Sequence, residues 1–412
     1  MIILNQAITG LTTKGVRGLF VQRVVRQIGL CYNTPNFSRD ALVNIRPVQT
    51  KKDLNAFIEL PYRLYKDDPV WVPPLRDEQR GQFDVKRNPL LDHCEWQLFL
   101  LEETGRVIGR IAAFVDNLAI DFWKEPVGLF GYYECIADVT AGHTLLEAAR
   151  GWLHEKKMTR MRGPWSFVSQ EWGMVIEGFT PSPVIMGPYN PPFYNDHLAA
   201  FGLQKIKDLL CWYVSLDEGY KVPGRILSLT DDVTRRTGVH IRQIDMKRYE
   251  QEVQTVIELS NASIIDNWGY SPVTEAEVKA MAHDLKPIIQ PKGVLFAEDA
   301  HGRPIGFVIA LPDVNSLLKG LNGHMFPFGW LKLLAGVPRL QRYRLFALGV
   351  IPEFQGKAVD SLIYRALNDS LASAHTWIEI NYVLEDNYPM VNAIKKLEAV
   401  PLRRYRVYEM GI

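Results

Sequence analysis

The chain has 412 residues, 47% of them apolar and 23% charged, with a formal net charge of +1. That is long enough for two domains with sizeable cores, and the near-zero charge excludes the broad basic field of a protein whose main partner is nucleic acid. No run approaches the roughly 20 apolar residues of a membrane span, so no integral membrane segment is expected, and four scattered cysteines without a C-x-x-C pair fit a reducing cytoplasm.

Residues 1–40 stand apart as an N-terminal extension. The first 39 carry Lys14, Arg17, Arg23, Arg26 and Arg39 but no acid, with Val16, Phe20, Val24 and Ile28 at helical spacing. The simplest reading is a disordered extension; a surface-binding amphipathic helix and a transit-type peptide are the alternatives.

From Ala41 onward the sequence is written twice. Val43-Asn44-Ile45-Arg46 and the helical run through Phe57-Ile58-Glu59-Leu60 return as Val239-His240-Ile241-Arg242 and Val256-Ile257-Glu258-Leu259. The hairpin turning at Thr104-Gly105 has its echo around Gly302, and Asn190-Pro191-Pro192 returns as Asn387-Tyr388-Pro389. Alternation and apolar runs predict strands near 42–48, 97–103, 106–115, 128–136, 160–166 and 209–216, then near 238–245, 293–298, 304–311, 343–350, 375–383 and 403–410. Between the repeats, Gly, Pro and charged residues over 217–237 read as a linker. Two further stretches are candidates to shape a pocket. Gly163 to Asn190 is dense in turn formers and aromatics, which line a cleft or pin a loop. Asn315 to Leu340 is an insertion rich in large apolar residues: a lid, a dimer contact or a buried helical pair.

Chemistry concentrates after the strand ending at Val350. There Ile351-Pro352-Glu353-Phe354-Gln355-Gly356-Lys357-Ala358-Val359 opens onto a helical pattern, and a loop of that kind aims free N–H groups and a helix dipole at one point, which suits phosphate. The corresponding first-repeat loop, Ala137 to His143, lacks Gln-Gly-Lys and carries Asp138. No G-x-S-x-G, P-loop, H-E-x-x-H or strand-linked G-x-G-x-x-G occurs, and the single His93 beside Cys94 does not make a zinc spacing.

Val350, Pro352, Gln355 and Gly356 resemble the V-x-P and Q/R-x-x-G-x-G/A signature of the GNAT family of acyl-CoA-dependent N-acyltransferases, with Ala358 and Asp360 departing from it. With the duplication, the chain is similar to tandem two-unit bacterial GNAT proteins. The resemblance implies an α/β (α+β) fold with two units, each a mixed, mostly antiparallel sheet flanked by helices: a degenerate unit over 41–216 and an acyl-CoA-binding unit over 238–412. It implies acetyl-CoA or another acyl-CoA as cosubstrate, a small-molecule amine as acceptor, and N-acyl transfer, in the simplest case N-acetylation. The pantetheine would run along Phe346 to Val350, thus Leu348 and Val350, with Asn387 touching its arm. Gln355, Gly356, Lys357, Ala358 and Val359 would hold the pyrophosphate, so that Gly356→Glu should abolish binding and Gly142→Glu spare it. Tyr405, Tyr408 and Glu379 are the preferred groups for moving protons, ahead of Asn381, Glu385 and Asp386. The place where many GNAT enzymes carry a tyrosine falls here on Ile394. A catalytically weak or inactive tandem protein binding acyl-CoA or another small ligand is the alternative, and an aminoacyl-tRNA donor a third reading that the charge balance disfavours.

Overall fold

A computed structural model of the chain describes residues 43–167, 171–373 and 375–412. The extension of residues 1–40 lies outside the described residues. The first repeat runs β1 (Val43–Pro47), α1 (Lys51–Leu64), α2 (Arg76–Gln82), β2 (Cys94–Glu103), β3 (Arg106–Asp116), α3 (Asn117–Trp123), β4 (Val127–Cys135), α4 (Val139–Glu155), β5 (Arg160–Gly163), β6 (Met174–Glu177), α5 (Phe193–Phe201) and β7 (Gln204–Ser215). After α6 (Gly224–Thr237), the second runs β8 (His240–Gln243), α7 (Tyr249–Ser263), α8 (Glu275–Leu285), β9 (Val294–Glu298), β10 (Pro304–Pro312), α9 (Asn315–Leu318), α10 (Gly329–Gly336), β11 (Arg342–Val350), α11 (Val359–Leu371), β12 (Trp377–Leu384), α12 (Tyr388–Lys396) and β13 (Val400–Gly411).

Local chemistry starts and stops these elements. Helix α1 begins with a capping box in which Thr50 Oγ1 accepts from Asp53 N at 3.1 Å and Asp53 Oδ2 accepts from Thr50 N at 3.0 Å. It turns Phe57, Ile58 and Leu60 into the core. Thr104 and Gly105, with φ of 49° and 78°, form the two-residue left-handed turn that matches the twist of β2 and β3.

The thirteen strands form one sheet, ordered β1-β2-β3-β4-β5-β13-β7-β12-β11-β10-β9-β8, with β6 added beside β13. Read from either end, four antiparallel strands are followed by a parallel fifth. The last strands are exchanged at the centre. Strand β7 ends the first repeat but pairs with β12 of the second, from Trp377↔Ser215 to Leu384↔Leu209, while β13 pairs with β5 and β6 of the first. The exchange leaves no sheet edge between the repeats. Separate cores flank the centre, one around Phe57, Leu100, Phe114 and Phe167, the other around Leu295, Val308, Tyr343 and Ile363.

Four features depart from the pattern read in the sequence. Strand β7 starts at Gln204 rather than 209, and β6 was not expected. The segment between the repeats carries a helix, α6, which buries Ile226, Thr230 and Val233 and is tied to α11 by Arg365 donating to Thr230 Oγ1 at 2.7 Å. The 315–340 insertion is split in character. Leu317, Leu318, Leu333 and Val337 pack with Val72, Leu75 and Ile185 of the first repeat, whereas Phe326, Phe328, Trp330, Leu331 and Leu334 face solvent. Among the described residues no helix is long and apolar enough to cross a membrane.

A partly buried cation ties the repeats together. His93 Nδ1 lies 3.0 Å from Asp116 and its Nε2 lies 3.2 Å from Glu277, the N3 residue of the α8 capping box. Asp116 above all, then Cys94 and Glu277, push His93 up to about 12. A histidine raised in this way contributes stability that is fully present below its ordinary pKa of about 6.5 and is lost progressively as pH rises through the folded value. His93→Ala leaves two buried carboxylates without their counter-charge and should cost about 3–5 kcal/mol. Urea melts of both proteins at pH 6 and pH 9 check this: the difference between them should shrink at the higher pH.

Candidate active site

Strands β11 and β12 are paired from Arg342↔Trp377 to Leu345↔Ile380 and then part. Beyond that neck β11 remains bonded to β10, through Ala347↔Ile309 to Val350↔Gly306, and β12 remains bonded to β7. Phe346 is the extra residue of a bulge, since Ile309 faces Ala347 while Ala310 faces Leu345. The stretch Phe346 to Val350, containing Leu348 and Val350, thus has no strand partner on its β12 side. An edge of that kind accepts an extended ligand as an added strand.

The chain leaves this edge through a turn at Pro352–Phe354, then takes left-handed conformations at Gly356 (φ 72°) and Ala358 (φ 61°) before α11. Gln355 Nε2 closes the loop by donating to Val350 O at 2.9 Å, so Gln355 shapes the loop. No side chain caps α11, which leaves its first N–H groups unclaimed by side chains. A Cβ on Gly356 would meet nothing within 4 Å. Lys357 is exposed, its ammonium 4.8 Å from the Phe354 ring. Asn387 caps α12 by accepting from Met390 N at 3.2 Å.

The first repeat has the same splay, since β4 and β5 part after Leu129↔Arg162, but the space is filled by the protein itself. The Tyr194 hydroxyl accepts from Cys135 N at 2.7 Å and sits 3.0 Å from Cys135 O, taking both polar groups at the end of β4. Asp138 caps α4 through Ala141 N at 2.8 Å. Gly142 does not spare room for a side chain: its Cβ would lie 2.5 Å from Tyr133 Oη and 2.6 Å from His197 Nδ1, so Gly142→Glu disrupts packing instead of serving as a silent control.

The sequence is 35% identical to Protein YghO of Escherichia coli (strain K12), over 89% of this chain and 95% of that protein. It is 34% identical to the bacterial ceramide synthase of Caulobacter vibrioides, over 92% of this chain and all of that protein. No protein-family model matches the sequence. Among solved structures, the fold resembles a tandem GNAT protein from the clavulanic acid biosynthesis pathway, with a TM-score of 0.52 and 15% identity over 90% of this chain and 98% of that one. It also resembles the GCN5-related glucosamine N-acetyltransferase region of a fungal multi-domain β-N-acetylglucosaminidase, with a TM-score of 0.55 and 13% identity over 91% of this chain and 39% of that one. The chain belongs to the same family as these two proteins, and its fold is that of tandem GNAT proteins.

In this tandem GNAT protein the residues singled out for proton transfer are not all in one place. Glu379, fully buried, lies at the neck opposite Arg344, and Asn381 Nδ2 donates to its Oε1 at 2.9 Å. Among the described residues its Oε2 has no hydrogen-bond partner, and the adjoining Cys211 thiol is pushed up by burial and then by the Glu379 charge. Arg344 Nε donates to Asn381 Oδ1 at 3.1 Å and Nη1 to Ile185 O at 2.7 Å. Tyr405, also fully buried, receives a hydrogen bond from Arg403 at 3.4 Å and meets Tyr382 edge-on, its hydroxyl held up by burial. Tyr408 lies on the far side of β13, paired with β5, and donates to Asn195 Oδ1 at 2.8 Å. Tyr405, on the same strand, still meets Tyr382 of β12, so the separation comes from the place of Tyr408 further along β13. Glu385 and Asp386 form ion pairs with Lys205 and Lys207, both at 2.6 Å. Ile394 is fully buried among Trp212, Ile380, Val383 and Val391, so a tyrosine there would overpack the core.

Sequence reasoning passed over Glu171. It sits in the aromatic-rich stretch where Trp165 stacks on Trp172 at 4.4 Å and Trp172 faces Tyr382. Burial raises its carboxyl, opposed by the charge of Arg344. Glu171 of the first repeat and Glu379 of the second therefore both lie near the Arg344 guanidinium.

Proposed function

We propose that this protein transfers an acyl group from acyl-CoA to the primary amine of a long-chain acceptor of the sphingoid type, giving a ceramide-like amide. The observation that carries the reading is the asymmetry of the two splays: the β4–β5 gap is plugged by Tyr194, while the β11–β12 gap opens onto an uncapped helix. The long-chain acceptor is supported by 34% identity over the whole length of a bacterial ceramide synthase.

In this reading the first N–H groups of α11, with Gly356, Lys357, Ala358 and Val359, take the pyrophosphate, and Gln355 holds the loop open for it. The backbone of Phe346 to Val350 holds the pantetheine, flanked by Asn387. A bound acyl-CoA would supply an electrophilic thioester carbonyl at the neck. The acceptor arrives as an ammonium and must lose one proton before its nitrogen can attack. Glu379, with one open carboxylate oxygen, takes that proton; Glu171 draws the cation toward the neck. As the C–N bond forms and the C–S bond breaks, the second nitrogen proton passes to the departing sulfur. The products are an amide, CoA thiol and one proton, released when Glu379 is regenerated. Tyr405 supports Arg403 beside this cluster, and Tyr408 braces α5 against β13.

The test is product formation from palmitoyl-CoA with sphinganine, or with a short water-soluble amine, followed by mass spectrometry of the amide. The expected result is an N-palmitoyl amide of sphinganine with little amide from the short amine. CoA release without any amide would overturn the reading in favour of a catalytically weak acyl-CoA binder.

A further inference from the structure

We infer that the outer face of the 315–340 insertion docks on an anionic lipid bilayer, as an interfacial element that does not span it. Within nine positions, Phe326 (78% exposed), Phe328 (73%) and Leu334 (70%) stand out in solvent together with Trp330 and Leu331. Soluble surfaces do not ordinarily gather that much aromatic and branched side chain in one place. The base beneath the patch is fixed. Gly323 O accepts from Arg76 N at 3.1 Å, Asn315 Nδ2 donates to Pro183 O at 2.9 Å, and the inner residues of the insertion pack into a buried cluster with Val72, Leu75 and Ile185. The exposed residues are therefore presented outward from a rigid platform, which does not suit a lid.

Charge selects the occupant. From Val314 to Pro352 there is no Asp or Glu, whereas Lys319, Lys332 and Arg339 lie exposed around the patch. A second copy of the same surface would set these cations against one another, while an anionic headgroup layer neutralises them as the apolar side chains enter the acyl boundary. Trp330 and the phenylalanines have the chemistry that settles at that boundary. Topology fits as well. The insertion joins β11 at its N-terminal end and the phosphate loop leaves its C-terminal end, so this strand of nine residues separates them by about 25–30 Å. Docking by the patch leaves the loop in water, open to a soluble nucleotide. The inference rests on the surface alone and does not require the acceptor proposed above.

The test uses the full chain in flotation with vesicles of phosphatidylcholine, with and without a minority of phosphatidylglycerol. The wild type should float with the anionic vesicles, and added salt should weaken the binding. The triple variant Phe326→Ser, Phe328→Ser, Leu334→Ser changes only exposed side chains. It should melt as the wild type does and bind at least about tenfold more weakly. A wild type that does not float, or a variant that floats equally well, would overturn the inference. So would sedimentation velocity showing a wild-type dimer that the variant converts to monomer, which would make the patch a contact between copies.

Discussion

Gly356→Glu should raise the Kd for acyl-CoA by at least about 100-fold, close to 3 kcal/mol, with little change in folding. The residue is left-handed, so any side chain costs roughly 1 kcal/mol of backbone strain, but the site is open and nothing clashes. What the substitution adds is a carboxylate where α11 presents its unclaimed N–H groups. It competes for those donors and repels a pyrophosphate carrying like charge. The control is Thr140→Glu, an exposed position in the first turn of α4, which places the same charge at the equivalent helix end of the first repeat. Calorimetric titration should find this control unchanged. Equal losses in the two variants, or a loss in Thr140→Glu alone, would move the nucleotide away from α11.

Glu379→Gln should lower kcat by about 10²–10⁴-fold while leaving acyl-CoA affinity within a few-fold of wild type. Glutamine keeps the volume and can still accept from Asn381, so the neck retains its shape. It cannot take a proton from an ammonium at neutral pH. The change also removes a negative charge that both Arg403 and Cys211 feel, so a modest fall in Tm should accompany the loss of turnover. Single-turnover measurements separate the two effects: binding of the thioester should survive and amide formation should not. If kcat falls only as far as stability does, Glu379 is structural and Glu171 becomes the better proton acceptor.

Much of the fold was legible because the repeat doubles every signal. Strand boundaries derived from alternation fall within a few residues of those observed for β1 to β4 and for β8 to β12, where one face is buried and the period is clean. The helix α6 was missed although Ile226, Thr230 and Val233 recur at helical spacing, because Gly219, Pro223 and Gly224 drew attention to the breaks at its start. The exchange of β7 and β13 was not legible at all. It is fixed by which strand satisfies the edge of β12, and either terminal strand offers the same apolar alternation. The loop that opens onto α11 was readable from its spacing, whereas the plug in the first repeat was not. Tyr194 closes the gap through its hydroxyl, and only its distance to Cys135 distinguishes it from an ordinary core tyrosine.

Hydrogen–deuterium exchange with and without palmitoyl-CoA addresses the central claim, that one nucleotide site exists and lies in the second repeat. The account predicts ligand-induced protection of Phe346 to Ser361, with Glu134 to Gly142 unchanged because Tyr194 already holds the end of β4. Protection confined to Glu134 to Gly142, or absent from both segments under saturating ligand, would contradict it.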